Sequence, residues 1–241
     1  MSNISRYTSA LFDKDTMYVF SHFTSDQADT EAVDTVTDSG SVAMGDVAGG
    51  TVVLTPSDGS VVDNDEAYLA TPNENFIFRT NNAIYGAARV KFSEVTAAKL
   101  NWAFGFQNAV GADSIIDDGG GLKVSGSTLG IYAIDGGTNL LRVVSACNGV
   151  ATVTITNKTV VAGTWYYLEI ICGDSDGVTM PVNFKVDGEF LKDANGNIIK
   201  HTVPIANATE MSMFLGAKLG ASTNNDTLTA DWWIGQTGPA T

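Results

Sequence analysis

The run Asp63-Asn64-Asp65-Glu66 places two carboxylates two residues apart, and on a strand residues so spaced share a face. Glycoside hydrolysis asks for two carboxyl groups about 5–9.5 Å apart across one cleft. Asp63 and Asp65 are therefore the pair on which a glycosidase would rely. The run also follows Val61-Val62 and stands directly before Ala67-Tyr68-Leu69, so a solvated turn between strands accounts for it without catalysis. Glu169 has Tyr167 and Ile171 two positions away, and so lacks a partner carboxylate.

Other chemistries find less. His22 and His201 are the only histidines, and neither stands in a motif that a nucleophile–base pair requires. His201 follows Ile198-Ile199 and reads as a surface or edge residue. A glycine-rich phosphate loop before a helix and a His-Glu-x-x-His pair are both absent. Asp193-Ala194-Asn195-Gly196-Asn197 starts like a calcium loop but lacks its later glycine and glutamate, and Asn195-Gly196 reads as a hairpin turn. Asp174-Ser175-Asp176-Gly177 and Asp117-Asp118 are also read as turns, with calcium the one cation such loop acids would suit. Cys147 and Cys172 lie in apolar segments and form no metal motif. Buried free thiols are the first reading, and one inter-strand disulfide the alternative. No catalytic residue, metal ligand or cofactor is assigned, and the chain is expected to be non-enzymatic.

The elements around these residues are strands. Tyr166, Leu168, Ile170 and Cys172 form one apolar face of 165–172, and Val182, Phe184 and Val186 one face of 182–188. That alternation suits antiparallel sheets packed on one side. Asp187-Gly188 supplies the positive φ angles of a tight hairpin turn. Further strands are expected at 17–24, 41–44, 51–55, 67–71, 76–80, 84–92, 100–107, 122–125, 129–134, 140–146, 151–155, 198–202, 211–218 and 227–234. At most a helical turn is expected near 95–99. Many short strands at such spacing predict an all-β, antiparallel two-sheet β-sandwich. Residues 1–16 have no sustained period and are expected to form an extended N-terminal arm before a single domain at 17–241. In the closing strand Trp232 alternates with Leu228, Ala230 and Ile234 as core, which sends Trp233 to the opposite face, into a second packed layer, a groove or a contact with another subunit, or under a terminal loop or the N-terminal arm.

The formal net charge is −14, from 27 acidic and 13 basic residues. This excludes counterion-driven binding to nucleic acid and docking on an anionic membrane. The first residues lack the apolar core of a signal peptide, and no apolar run approaches the roughly 18 residues of a membrane helix. The chain is expected to be made in a cytoplasm and to remain soluble.

The segments 63–69, Ala87-Ala88-Arg89-Val90-Lys91-Phe92, Trp165-Tyr166-Tyr167-Leu168-Glu169-Ile170, Phe184-Lys185-Val186-Asp187-Gly188 and Leu228-Thr229-Ala230-Asp231-Trp232-Trp233 follow one another in an order that resembles the concanavalin A-like lectin/glucanase jelly roll, laminin-G-type modules included. The paired-carboxylate strand of that family's enzymes and the acidic–histidine metal cluster of its legume lectins are missing. In overall character the chain is similar to jelly-roll virion proteins of tailed phages. That resemblance implies a decoration or cement protein on the capsid exterior, bound to a major capsid protein, with a homo-oligomer, a trimer above all, favoured. Ile4, Tyr7, Leu11, Phe12 and Trp233 are the expected interface anchors. The alternative is a carbohydrate-binding module, possibly displayed on the same virion and reading surface glycans, with Trp102, Tyr132 and Trp233 as sugar platforms.

Overall fold

The structure is a computed structural model that describes residues 17–23, 34–37, 39–45, 48–94, 100–135, 138–220 and 225–238. The expected arm at 1–16, with Ile4, Tyr7, Leu11 and Phe12, and the helical turn at 95–99 lie outside these residues. Among the described residues every regular element is a strand. In chain order they are β1 (Met17–Ser21), β2 (Asp34–Thr37), β3 (Ser41–Gly45), β4 (Thr51–Thr55), β5 (Glu66–Ala70) and β6 (Ala83–Phe92). There follow β7 (Leu100–Gln107), β8 (Ile115–Ile116), β9 (Gly121–Leu122), β10 (Thr128–Ala133), β11 (Leu140–Cys147) and β12 (Val150–Thr159). The last six are β13 (Trp165–Cys172), β14 (Thr179–Val186), β15 (Glu189–Phe190), β16 (Lys200–Pro204), β17 (Ser212–Leu219) and β18 (Leu228–Gly238).

They form two large antiparallel sheets. One has nine strands, ordered β15-β14-β13-β6-β18-β4-β3, with β1 on β18 and β16 on β14. The other has seven, ordered β12-β11-β10-β7-β17-β5-β2. Apolar side chains at alternate positions of both sheets meet between them: Leu168, Ile170, Phe184 and Val90 from the first, Phe104, Phe106, Ile131 and Leu215 from the second, all fully buried. Trp102 belongs to this layer, stacked on Phe92 with ring centroids 3.9 Å apart. The expected β13–β14 pairing is present, with Leu168 opposite Val186 and Ile170 opposite Phe184. Asp187 and Gly188, at φ 53° and 80°, make the two-residue turn from β14 to β15.

Three local expectations need correction. The segment 76–80 makes a single bridge, Phe76 to Met211, because Asn82 donates to the Ile77 carbonyl and turns the backbone, although Phe76 and Phe78 are core. At 34–37, where no strand is expected from the sequence, β2 pairs with β5 as an edge strand, in which polar residues are tolerated. Trp233, not Trp232, is the buried tryptophan of the closing strand. A β-bulge between Ala230 and Trp232 shifts the alternation, so Trp233 joins the core beside Phe23 and Trp232 faces outward. The bulge lies where β18 changes neighbour, from β4 along Leu228–Ala230 to β1 along Trp233–Thr237.

Cys147 and Cys172 are buried free thiols. His201 is not a surface residue. It sits on β16 of the nine-stranded sheet but reaches the other sheet, with Nδ1 2.9 Å from Ser145 Oγ and Nε2 2.9 Å from Thr154 Oγ1. Burial lowers its pKa from 6.5 to about 4. The unfolded chain takes up this proton near pH 6.5 and the folded chain only near pH 4, so the neutral ring's stabilisation is present above 6.5 and lost as pH falls toward 4. Thermal melts across that window will show a loss of roughly 2–3 kcal/mol that His201→Gln abolishes. An unchanged slope in the variant would assign the acid lability to other groups.

Candidate functional site on the outer face of the nine-stranded sheet

The carboxylates singled out by their spacing do not form a catalytic pair. Residues 61–65 are a turn rather than a strand, with Asn64 at φ 70°, and β5 begins only at Glu66. Asp65 is buried and its Oδ2 accepts the Val62 N–H at 3.0 Å, while Asp63 is exposed. Both line a recess of about 380 Å³ whose charged centre is Lys218. This lysine is 1 % exposed and its Nζ stands 3.2 Å from Glu66 Oε2, 2.8 Å from Asp113 Oδ1, and against Asp117 Oδ1. Burial alone pulls the lysine pKa down, but the bonds to Asp113 and Asp117 and the charge of Glu66 more than offset it and raise it. Lys218 in turn holds the Asp113 carboxyl below the usual carboxylate range. The ammonium thus stands fixed among these side chains, and the Asp113 carboxyl it holds low is no proton donor for glycoside cleavage at neutral pH. What the cluster does is tie down a loop.

That loop, 108–127, carries the β8–β9 hairpin across the outer face of the seven-stranded sheet. Ile115 and Leu122 pack on Tyr68, Ala103, Tyr132, Val144 and Phe214 as a second apolar cluster. The Tyr68 hydroxyl donates to Glu66 Oε2 at 2.7 Å and accepts the Ile115 N–H at 3.0 Å. Gln107 Nε2 reaches the carbonyls of Ser114 and Lys123. Two glycines make room: a Cβ at Gly130 would lie 2.4 Å from Leu122 Cδ1, and one at Gly216 would lie 2.8 Å from the Tyr68 ring. The part of this face beneath the hairpin is filled by the chain itself.

The opposite outer surface, that of the nine-stranded sheet, is open. Antiparallel register aligns its outward side chains in rows across strands. Tyr167 of β13 stands opposite Arg89 of β6, which stands opposite Trp232 of β18. Trp165 stands opposite Lys91, and Lys91 opposite Thr229. Trp165, Tyr167, Tyr85 and Trp232 are all half-buried. The Tyr167 and Trp232 rings lie 5.4 Å apart at 47°. The hydroxyls of Tyr85 and Tyr167 are 2.7 Å apart, and Tyr85 donates to Glu169 Oε1 at 3.1 Å. Burial, first of all, raises both tyrosine pKa values, so both hydroxyls stay protonated at neutral pH. Beside them a cleft of about 490 Å³ opens between Trp165, Arg89 and Lys91 on one side and Thr51, Val53, Thr229 and Asp231 on the other. Arg89 pairs with Asp231, and the bulge is what turns Asp231 and Trp232 outward together.

The platforms expected from the sequence lie elsewhere. Trp102 and Trp233 are in the core, and Tyr132 is under the β8–β9 hairpin, so none of the three presents a ring to solvent. Trp233 is accordingly not a free interface anchor. The outward aromatics were missed although β13 signals two of them, since Trp165 and Tyr167 alternate with its apolar face. The loop acids are engaged in turns: Asp176 Oδ1 accepts from the Val178 and Thr179 amides, and Asp193 Oδ1 from those of Asn195 and Asn197, which lowers both pKa values. Among the described residues no group of three or more His, Cys, Asp or Glu side chains is arranged to hold a metal. No helix there is long and apolar enough to cross a membrane.

Two facing antiparallel sheets in this arrangement are the concanavalin A-like jelly roll, the fold of a class of lectins and glucanases. An endo-1,3-beta-glucanase from Streptomyces sioyaensis superposes with a TM-score of 0.63 at 15% identity, over 95% of this chain and 98% of that one. Peanut lectin does so at 0.57 and 14% identity, over 94% and 99%. Lectin I from Ulex europaeus, solved with the methyl glycoside of alpha-L-fucose, gives 0.57 at 11% identity, over 93% and 98%. No protein-family profile and no curated protein sequence matches the chain. At these identities the likeness concerns the fold.

Proposed function

We propose that the chain is a non-catalytic carbohydrate-binding module that reads glycans on the outer face of its nine-stranded sheet. The observation that carries this is the row Tyr85, Tyr167, Trp232 around Glu169 and Arg89. It joins half-exposed rings, which can cover the apolar face of a pyranose, with hydroxyl and guanidinium groups for its hydroxyls, the Tyr85 hydroxyl being held by the buried Glu169 carboxylate. On the opposite sheet face, the part beneath Ile115 and Leu122 is closed. Structural neighbours that are lectins support the reading.

A second reading keeps the chain as a virion decoration protein that docks on a major capsid protein as a homo-oligomer. It is favoured by Tyr18 and Phe20 of β1, 39 % and 45 % exposed, which stand opposite Gln236 and Ile234 and lengthen the same face toward the sheet margin. One comparison separates the two. On a glycan array the chain binds a defined sugar set and Trp232→Ala weakens it about tenfold or more, whereas Phe20→Ala leaves it unchanged. An array without hits, with cosedimentation on stripped phage heads that Phe20→Ala abolishes, would replace the first reading by the second.

A further inference from the structure

We infer that the cleft beside Trp165 is a subsite for the carboxylate of an acidic sugar, so that the preferred ligand is a uronate-containing polysaccharide. This rests on the glycan-binding reading and names its ligand class. The chain carries 27 acidic residues against 13 basic ones, yet here two of its cations converge. The Arg89 guanidinium carbon lies 4.7 Å and Lys91 Nζ 5.0 Å from the centre of the Trp165 ring. Cation–π contact fixes both groups before any ligand arrives, which removes part of the ordering cost of binding. Arg89 spends one Nη on Asp231 and keeps further N–H donors, while Lys91 has no carboxylate partner among the described residues. Among the described residues the cleft is lined by two cations and one carboxylate, Asp231, within a strongly negative molecule. Repulsion from the remaining acids is screened beyond about 8 Å at physiological ionic strength.

The composition of the walls selects a sugar over an acidic peptide. Asp231 and the hydroxyl of Thr229 stand next to the two cations. A uronate offers them hydroxyl donors on the same ring that carries its carboxylate. A chain of glutamates brings backbone N–H donors but no hydroxyls beside its carboxylates, and adds negative charge next to Asp231. The cleft also adjoins the Tyr167–Trp232 pair, because Arg89 is opposite both in register, so one oligosaccharide can lie across the rings with an acid group in the cleft.

The test is isothermal titration of the full chain with polygalacturonate, with the neutral glucan laminarin, and with poly-L-glutamate, at low and at moderate salt. The expected result is polygalacturonate binding that weakens with salt and falls about tenfold or more in Lys91→Gln, as for loss of a charge-assisted hydrogen bond. Lys200→Gln, an exposed charge change outside the cleft, leaves it unchanged. Arg89→Gln would also strip Asp231 of its partner, so Lys91→Gln, at a side chain with no ion pair to lose among the described residues, carries the conclusion. Polygalacturonate binding that is indifferent to Lys91→Gln, or poly-L-glutamate binding of equal strength, overturns the inference. Laminarin binding without polygalacturonate binding overturns it too and leaves the glycan-binding reading standing. Failure to bind any glycan, on the array as well as here, removes both.

Discussion

Replacement of Lys218 by Met is expected to cost about 3–5 kcal/mol, because it leaves the Glu66 carboxylate buried without its partner. For a chain of this size that corresponds to a fall in melting temperature of very roughly 6–20 °C. The loss has a local component. Asp113 and Asp117 bring loop 108–127 onto Lys218, and the same loop lays Ile115 and Leu122 over Tyr68, Tyr132 and Phe214. With the ammonium gone, hydrogen exchange at 113–123 will rise ahead of the rest of the molecule, and an apolar dye will find the uncovered cluster. Asp113→Asn and Asp117→Asn act on half-exposed, water-screened partners and will cost far less. The double variant Lys218→Met, Glu66→Gln will recover part of the loss. If Lys218→Met alone melts within a degree or two of the parent, the cluster does not secure the loop as described.

The second large effect separates two adjacent residues. Trp233→Ala opens a cavity in the core beside Phe23 and is expected to cost about 3–5 kcal/mol. Trp232→Ala trims a half-exposed ring over Tyr167 and is expected to cost about 1 kcal/mol or less, while weakening glycan binding about tenfold or more under the function we propose. Strict alternation along 228–234 predicts the reverse order. The pair of melts therefore reads the Asp231 bulge directly, and equal losses would place the irregularity elsewhere.

This contrast shows what the residues disclose and what they withhold. Period-two patterning located β13 and β14, because each has one face in the inter-sheet core and burial there enforces alternation. It failed at Trp232, where one extra residue moved every later side chain to the other face. It also failed at His201, whose apolar surroundings come from strands far away in sequence. Tyr132 and Trp102 looked like free rings for the same reason: their cover, the β8–β9 hairpin and Phe92, depends on tertiary placement. The outward site is a property of register. Tyr167, Arg89 and Trp232 belong to three separate segments, and no spacing along the chain links them. The acidic pair at Asp63 and Asp65 was legible as a turn from its neighbours alone.

The two partners of β18 have a geometric consequence. Met17 lies beside Thr237, whereas the Arg89–Asp231 cleft borders the opposite end of the same strand. At about 3.3 Å per residue, six residues put roughly 20 Å between the two places. The chain thus enters and leaves the described body at one pole and offers its cleft near the other. Anything joined through either end would attach at a common corner, at the far end of β18 from the Arg89–Asp231 cleft.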